Sequence, residues 1–138
     1  MKACVRWQGG VSFLAESGSG HTLLMDGPPE SGGANQGPRP MELLLMGTGG
    51  CAAVDVVLIL KKGRQDISNC VVEIEAKRAS QEPKVFTHIH FHFVLTGRKL
   101  STTQIERAIK LSAEKYCSAS IMLGKTAEIT HDYEVVEI

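Results

Sequence analysis

Four cysteines, Cys4, Cys51, Cys70 and Cys117, are the residues most able to do chemistry, and their neighbours tell them apart. None belongs to a CxxC pair, which argues against a zinc knuckle. A thiol becomes reactive only where it can be reached and where nearby charge or dipoles act on the thiolate. Cys70 alternates with Val72 and Ile74 and reads as packing, whereas Cys4 shares a strand face with Arg6 and has no evident partner. Cys51 follows Gly49-Gly50 inside an apolar run, although each glycine costs a helix about 1 kcal/mol relative to alanine. Such small residues either bring backbone or substrate close to a thiol or simply let helices pack. Cys117 closes the run Glu114-Lys115-Tyr116-Cys117. There Lys115 favours a thiolate, and the carbonyl end of a helix opposes it. Cys51 and Cys117 are therefore the pair to test as a redox couple.

The remaining polar candidates are fewer. Asp55 lies one helical turn beyond Cys51 and, once buried, needs a partner. His88, His90 and His92 alternate along one segment, so their imidazoles project from one strand face; a solvated row is the plain reading and a metal site the sharper one. Glu42 stands near the start of a predicted helix, where a carboxylate complements the dipole. Nine residues separate it from Cys51, about 13.5 Å of helical rise, so it does not reach the thiol of its own helix. If it serves such a thiol, that thiol belongs to another subunit.

The elements that must position these groups follow from periodicity. Val5 and Trp7, Val11 and Phe13, and Leu23 and Met25 mark three short strands turning at Gly9-Gly10 and Gly18-Ser19-Gly20. From Asp26 to Pro40, glycine and proline dominate and predict a long ordered loop. A helix is predicted over about 40–62, opened by Pro40 and Glu42 and stopped by Lys61-Lys62-Gly63. Only Thr48 and Asp55 interrupt its apolar surface, so it must be buried all round. Asp55 and the glycines argue for a core helix over a membrane span. A strand around Cys70–Ala76, another through Phe91 and Phe93 to Gly97, a helix from Ser101 to about Cys117 and a last strand over roughly 126–137 complete a βββαββαβ order. That order is α+β. One sheet covers only one side of the central helix, so a homodimer with paired central helices is expected, the glycines at 47, 49 and 50 allowing close approach.

The 138 residues carry fifteen basic and fifteen acidic side chains, and no cluster of Lys and Arg suited to a polyanion. Nucleic acid is not an expected partner. One domain over 1–138 is expected. The N-terminus shows no apolar leader, and with widely spaced cysteines this suggests a cytoplasmic location.

Two segments together carry a family resemblance. Pro40-Met41-Glu42-Leu43-Leu44-Leu45 leading to Gly49-Gly50-Cys51 resembles the first signature of the OsmC/Ohr family, the osmotically induced and organic hydroperoxide resistance proteins. Ala113-Glu114-Lys115-Tyr116-Cys117-Ser118 resembles the second, with Ser118 where proline is usual. The resemblance implies an intertwined homodimer, with antiparallel sheets wrapped around two long central helices and a thiol site at the interface. It further implies a thiol peroxidase without cofactor or metal. Cys51 would attack an organic hydroperoxide and become a sulfenic acid, and Cys117 would close a disulfide with it. A lipoyl or other dithiol would reset the pair. Glu42 matches the family's acidic residue, and Arg39 is the nearest counterpart of its arginine. A dimeric protein that holds an apolar small molecule without catalysis is the alternative. A thioesterase using Asp55 or Glu42 as the acid is a third reading, without motif support.

Overall fold

The computed structural model describes all 138 residues. The chain forms two compact units, Met1–Met46 and Gly47–Ile138, with helix α1 (Pro40–Lys62) running from the first into the second. The first unit holds an antiparallel meander of β1 (Ala3–Trp7), β2 (Phe13–Ser17) and β3 (Thr22–Met25), as the alternating pattern predicts. β1 is exposed along its whole length, and Val5, Trp7, Phe13 and Leu23 are all accessible. A three-stranded sheet needs a covered face to be stable.

The loop after β3 is ordered by one buried side chain. Asp26 accepts hydrogen bonds from the backbone N–H groups of Gly27, Ala34 and Gln36 at 2.7, 3.1 and 3.2 Å. Burial pushes its carboxyl up, but these donors and the Arg39 charge outweigh burial and hold it below its ordinary value. The loop thus delivers Arg39 to the start of α1.

The second unit is built on a three-stranded sheet, β4 (Asp66–Arg78), β5 (Phe86–Arg98) and β6 (Glu128–Glu137), with β5 in the centre. β4 and β5 are antiparallel, but β5 and β6 are parallel. This corrects the expectation of purely antiparallel sheets. The chain leaves β5 for a helical crossover, and a crossover returns the next strand parallel where a hairpin would reverse it. Phe91, Phe93, Leu95 and Ile89 fill the inner face of β5, together with Ala52, Val56 and Leu60 of α1 and Ile105 and Ala108 of α2 (Thr102–Leu111). Ser101 caps α2 by accepting the Gln104 backbone N–H, while its own N–H donates to Gln65 Oε1 where a full capping box would use Gln104.

Two further corrections concern helices. The second helix does not run unbroken to Cys117: α2 ends at Leu111, a π-helical turn spans Ser112–Tyr116, and a short α3 (Ser118–Leu123) starts beyond Cys117. The central helix is not buried all round within its own chain. Gly49, Ala52, Val56 and Leu60 form the buried face, while Gly47, Gly50, Val54 and Leu58 form an exposed one. The two rows are offset by two residues, about 200° around the axis, so they point in opposite directions. Of the glycines expected to admit a second helix, Gly49 instead faces β4: a Cβ there would meet Ile74 Cδ1 at 2.5 Å, whereas Gly47 and Gly50 face open space.

Candidate active site

Cys51 and Cys117 are brought together by α1 and by the segment between α2 and α3. Cys117 is fully buried and Cys51 half-buried. Burial pushes the Cys117 thiol above its ordinary value; Ser120 works against this, and a side-chain hydrogen bond and charge coupling with Cys51 reinforce it. Cys51 thus lies close enough to bear on the Cys117 proton. The backbone N–H of Ser120 donates to Cys117 Sγ at 3.4 Å, and the Cys117 thiol points towards the carbonyl of Thr48 at 4.0 Å.

The turn that carries Cys117 is tied to the helix that carries Cys51. Ser112, 2% exposed, donates its hydroxyl to Asp55 Oδ2 at 3.1 Å. Its carbonyl accepts the backbone N–H of Cys117 at 2.8 Å, the closure that makes the turn π-helical. Asp55 thus finds the partner that its partial burial demands. Sequence reasoning singled out Asp55 but missed Ser112, a serine with no local feature to mark it.

Arg39 and Glu42 are brought to each other. Glu42 Oε1 accepts the Arg39 backbone N–H at 2.8 Å and pairs with its Nε at 4.0 Å. Arg39 Nη1 also donates to Asn35 Oδ1 at 2.7 Å and to the Gly37 carbonyl at 3.2 Å. The guanidinium is thus held at the mouth of the loop. Cys70 is half-buried on β4 with its thiol pushed up by burial alone, in keeping with packing, and Cys4 is exposed.

The histidine row lies on the outer face of the β4–β5–β6 sheet. His90 and His92 share one carboxylate oxygen, Asp132 Oδ1, at 3.0 and 2.6 Å, and His88 approaches Glu128 at 3.4 Å. The hydrogen bond to Asp132 raises the His92 imidazole above its ordinary value, against a weaker pull from burial, and the same bond holds Asp132 low. No group of three or more His, Cys, Asp or Glu is arranged to hold a metal. His131, unremarked in the sequence, turns inward and stacks on Phe91 at 5.4 Å, and burial lowers its imidazole.

The family model described as OsmC-like protein matches residues 32–132. The chain belongs to the OsmC-like family. It is 53% identical to Protein YhfA of Escherichia coli strain K12, over 99% of this chain and 98% of that one. A hypothetical protein of Aquifex aeolicus superposes with a TM-score of 0.87 at 30% identity, covering 99% and 96% of the two chains. The organic hydroperoxide resistance protein OhrB of Bacillus subtilis shares the fold, with a TM-score of 0.66 at 17% identity and coverage of 97% and 98%.

Proposed function

We propose that the protein is a cytoplasmic, homodimeric thiol peroxidase that reduces organic hydroperoxides. The observation that carries this reading is the nearness of Cys51 to Cys117, two thiols that arrive from separate elements of the chain. Membership of a family with hydroperoxide resistance proteins among its structural neighbours supports it.

The division of access assigns the roles. Cys51, the reachable sulfur, attacks the terminal oxygen of the hydroperoxide as a thiolate; the O–O bond breaks, and the alkoxide takes a proton and leaves as an alcohol. Cys51 is then a sulfenic acid. Cys117, sheltered from peroxide, gives up its proton and attacks that sulfur, so that an S–S bond forms and water leaves. A dithiol of the lipoyl type reduces the disulfide by exchange and departs as its own cyclic disulfide. The Arg39 guanidinium, aimed by Glu42, polarises the peroxide at the thiol site of the paired protomer.

The second protomer also explains the exposed row on α1. By length and composition this helix could cross a membrane, with only 28% of its most apolar window buried. A row of Gly47, Gly50, Val54 and Leu58 suits close packing against another protein surface, and Asp55 beside it disfavours lipid. Turnover of cumene hydroperoxide with a lipoyl dithiol tests the reading. The wild type is expected to consume peroxide and Cys51→Ser is not; equal consumption by both would overturn it.

A further inference from the structure

Ser120 is 4% exposed, and its Oγ is a buried polar atom without a hydrogen-bond partner. A buried hydroxyl left in that state costs stability, so it needs a reason beyond the packing of the fold. The local geometry supplies one. Cys117 caps α3, its Sγ accepting the backbone N–H of Ser120 at 3.4 Å. In a capping box the side chain three residues on reaches back to the backbone N–H of the cap residue. Here that N–H is already taken by the Ser112 carbonyl at 2.8 Å, the bond that closes the π-helical turn. The Ser120 hydroxyl is left over, separated only by its own α- and β-carbons from the nitrogen that holds the sulfur.

The sulfur beside it has to lose a proton. In the reduced protein the Cys117 thiol directs that proton towards the Thr48 carbonyl at 4.0 Å. Once the proton is gone the carbonyl can only repel the sulfur, and the groups that stabilise it must be donors. The Ser120 N–H is one, already in place; a hydroxyl that can rotate, with no other acceptor to satisfy, is the second. Burial raises the Cys117 thiol, and the hydroxyl and N–H of Ser120 both act to lower it. From α1, Cys51 acts in the raising direction, and Asp55 is engaged by the Ser112 hydroxyl. Glu114 and Lys115 on the π-helical turn are exposed, with the Lys115 ammonium over the Tyr116 ring at 5.2 Å.

We propose that Ser120 is a further catalytic residue, whose hydroxyl turns onto the Cys117 sulfur and, together with its backbone N–H, holds the negative charge that builds there as the disulfide closes. This role rests on the peroxidase reading, which supplies the sulfenic acid that Cys117 attacks. The S–S bond forms as the S–O bond of the Cys51 sulfenic acid breaks, and the Cys117 proton ends on the departing hydroxide as water. Ser120 keeps its own proton throughout and acts only as a donor. Deleting the hydroxyl slows this step without loosening the fold, because it removes an atom that nothing else pairs with.

The test follows disulfide closure across pH after a single pulse of cumene hydroperoxide, in the full-length wild type, Ser120→Ala and Ser120→Thr, with urea midpoints measured beside it. Ser120→Ala is expected to close about tenfold more slowly at neutral pH, the loss expected for a hydrogen bond to a charged group. It should approach the wild-type rate as pH rises and deprotonates Cys117 unaided, and its urea midpoint should not fall. Ser120→Thr, which keeps the hydroxyl, is expected to close near the wild-type rate. NMR titration of the Cys117 β-carbon in the reduced proteins is expected to move to higher pH in Ser120→Ala. Equal closure by wild type and Ser120→Ala overturns the proposal. A slowing that is the same at every pH, or a Ser120→Ala protein that loses its fold, also overturns it by showing a structural role. A Cys117 titration that depends on the hydroxyl, in a protein that reduces no hydroperoxide, would keep this action of Ser120 on the sulfur and remove the peroxidase reading. Peroxide turnover with closure indifferent to Ser120 would do the reverse.

Discussion

Cys51 and Cys117 differ in access, and the difference makes their substitutions distinguishable. Cys117→Ser is expected to leave the first oxidation intact and to let a sulfenic acid accumulate on Cys51, trapped by dimedone and read by mass spectrometry. Cys51→Ser is expected to give no trapped adduct at either position. The Asp132 pair yields a pH prediction. The His92 imidazole is raised in the folded chain, so its share of stability is complete below the unfolded value of 6.5 and fades as pH climbs through the folded value. Asp132 is depressed, so its share is complete above 3.8 and fades as pH falls through the folded value. Asp132→Asn should therefore lower the urea midpoint more at about pH 5.5 than at about pH 8. An equal drop at both would show that the imidazoles draw nothing from this carboxylate. At this scale the sequence was informative about residue type: both thiols, Asp55 and the histidine row were visible as candidates. Their partners were not, because Ser112, Asp132 and Thr48 lie 57, 40 and 69 positions away from the groups they meet.

The segment between α2 and α3 decides where Cys117 sits. A regular helix through 112–117 would place each backbone N–H on the carbonyl four residues earlier, whereas Cys117 reaches back five, to Ser112. The Asp55–Ser112 bond locks that register to α1. Ser112→Ala is expected to cost about 1–3 kcal/mol in chemical denaturation, because it leaves a partly buried carboxylate without its donor. It should also slow closure of the disulfide in stopped-flow measurements after a single peroxide pulse. Closure at the wild-type rate would mean that the turn holds its shape unaided. Periodicity revealed α1 from Pro40 to Lys62 and most strand positions, since those elements follow a single repeat. It ran α2 too far because Ser112 and Tyr116 continue the helical spacing, and one extra residue in a turn leaves no mark on that pattern. The parallel placement of β6 was likewise invisible, as strand direction is a property of the crossover and not of the strand.

For the whole molecule, the exposed row on α1 and the thinly covered meander make the same demand. Val54 and Leu58 are 57% and 52% exposed, and Trp7 is 67% exposed. Exposed apolar surface on each unit is of the kind that marks an interface, and a second copy would cover it in the homodimer proposed here. Sedimentation is expected to give twice the 14.9 kDa chain mass, and Leu58→Glu is expected to shift the protein towards monomer; a wild type that sediments as a monomer would contradict the dimer. That one sheet would leave part of this helix uncovered was legible in the sequence. Which face of that helix stays open was not, because the apolar residues surround it and only the packing of β4 against Gly49 selects a side. Peptide mapping of the full-length protein after one equivalent of cumene hydroperoxide tests the central claim most directly. A single Cys51–Cys117 cross-link, absent from Cys51→Ser, is the expected result; reduced thiols at both positions, or a cross-link through Cys4 or Cys70 instead, would contradict it.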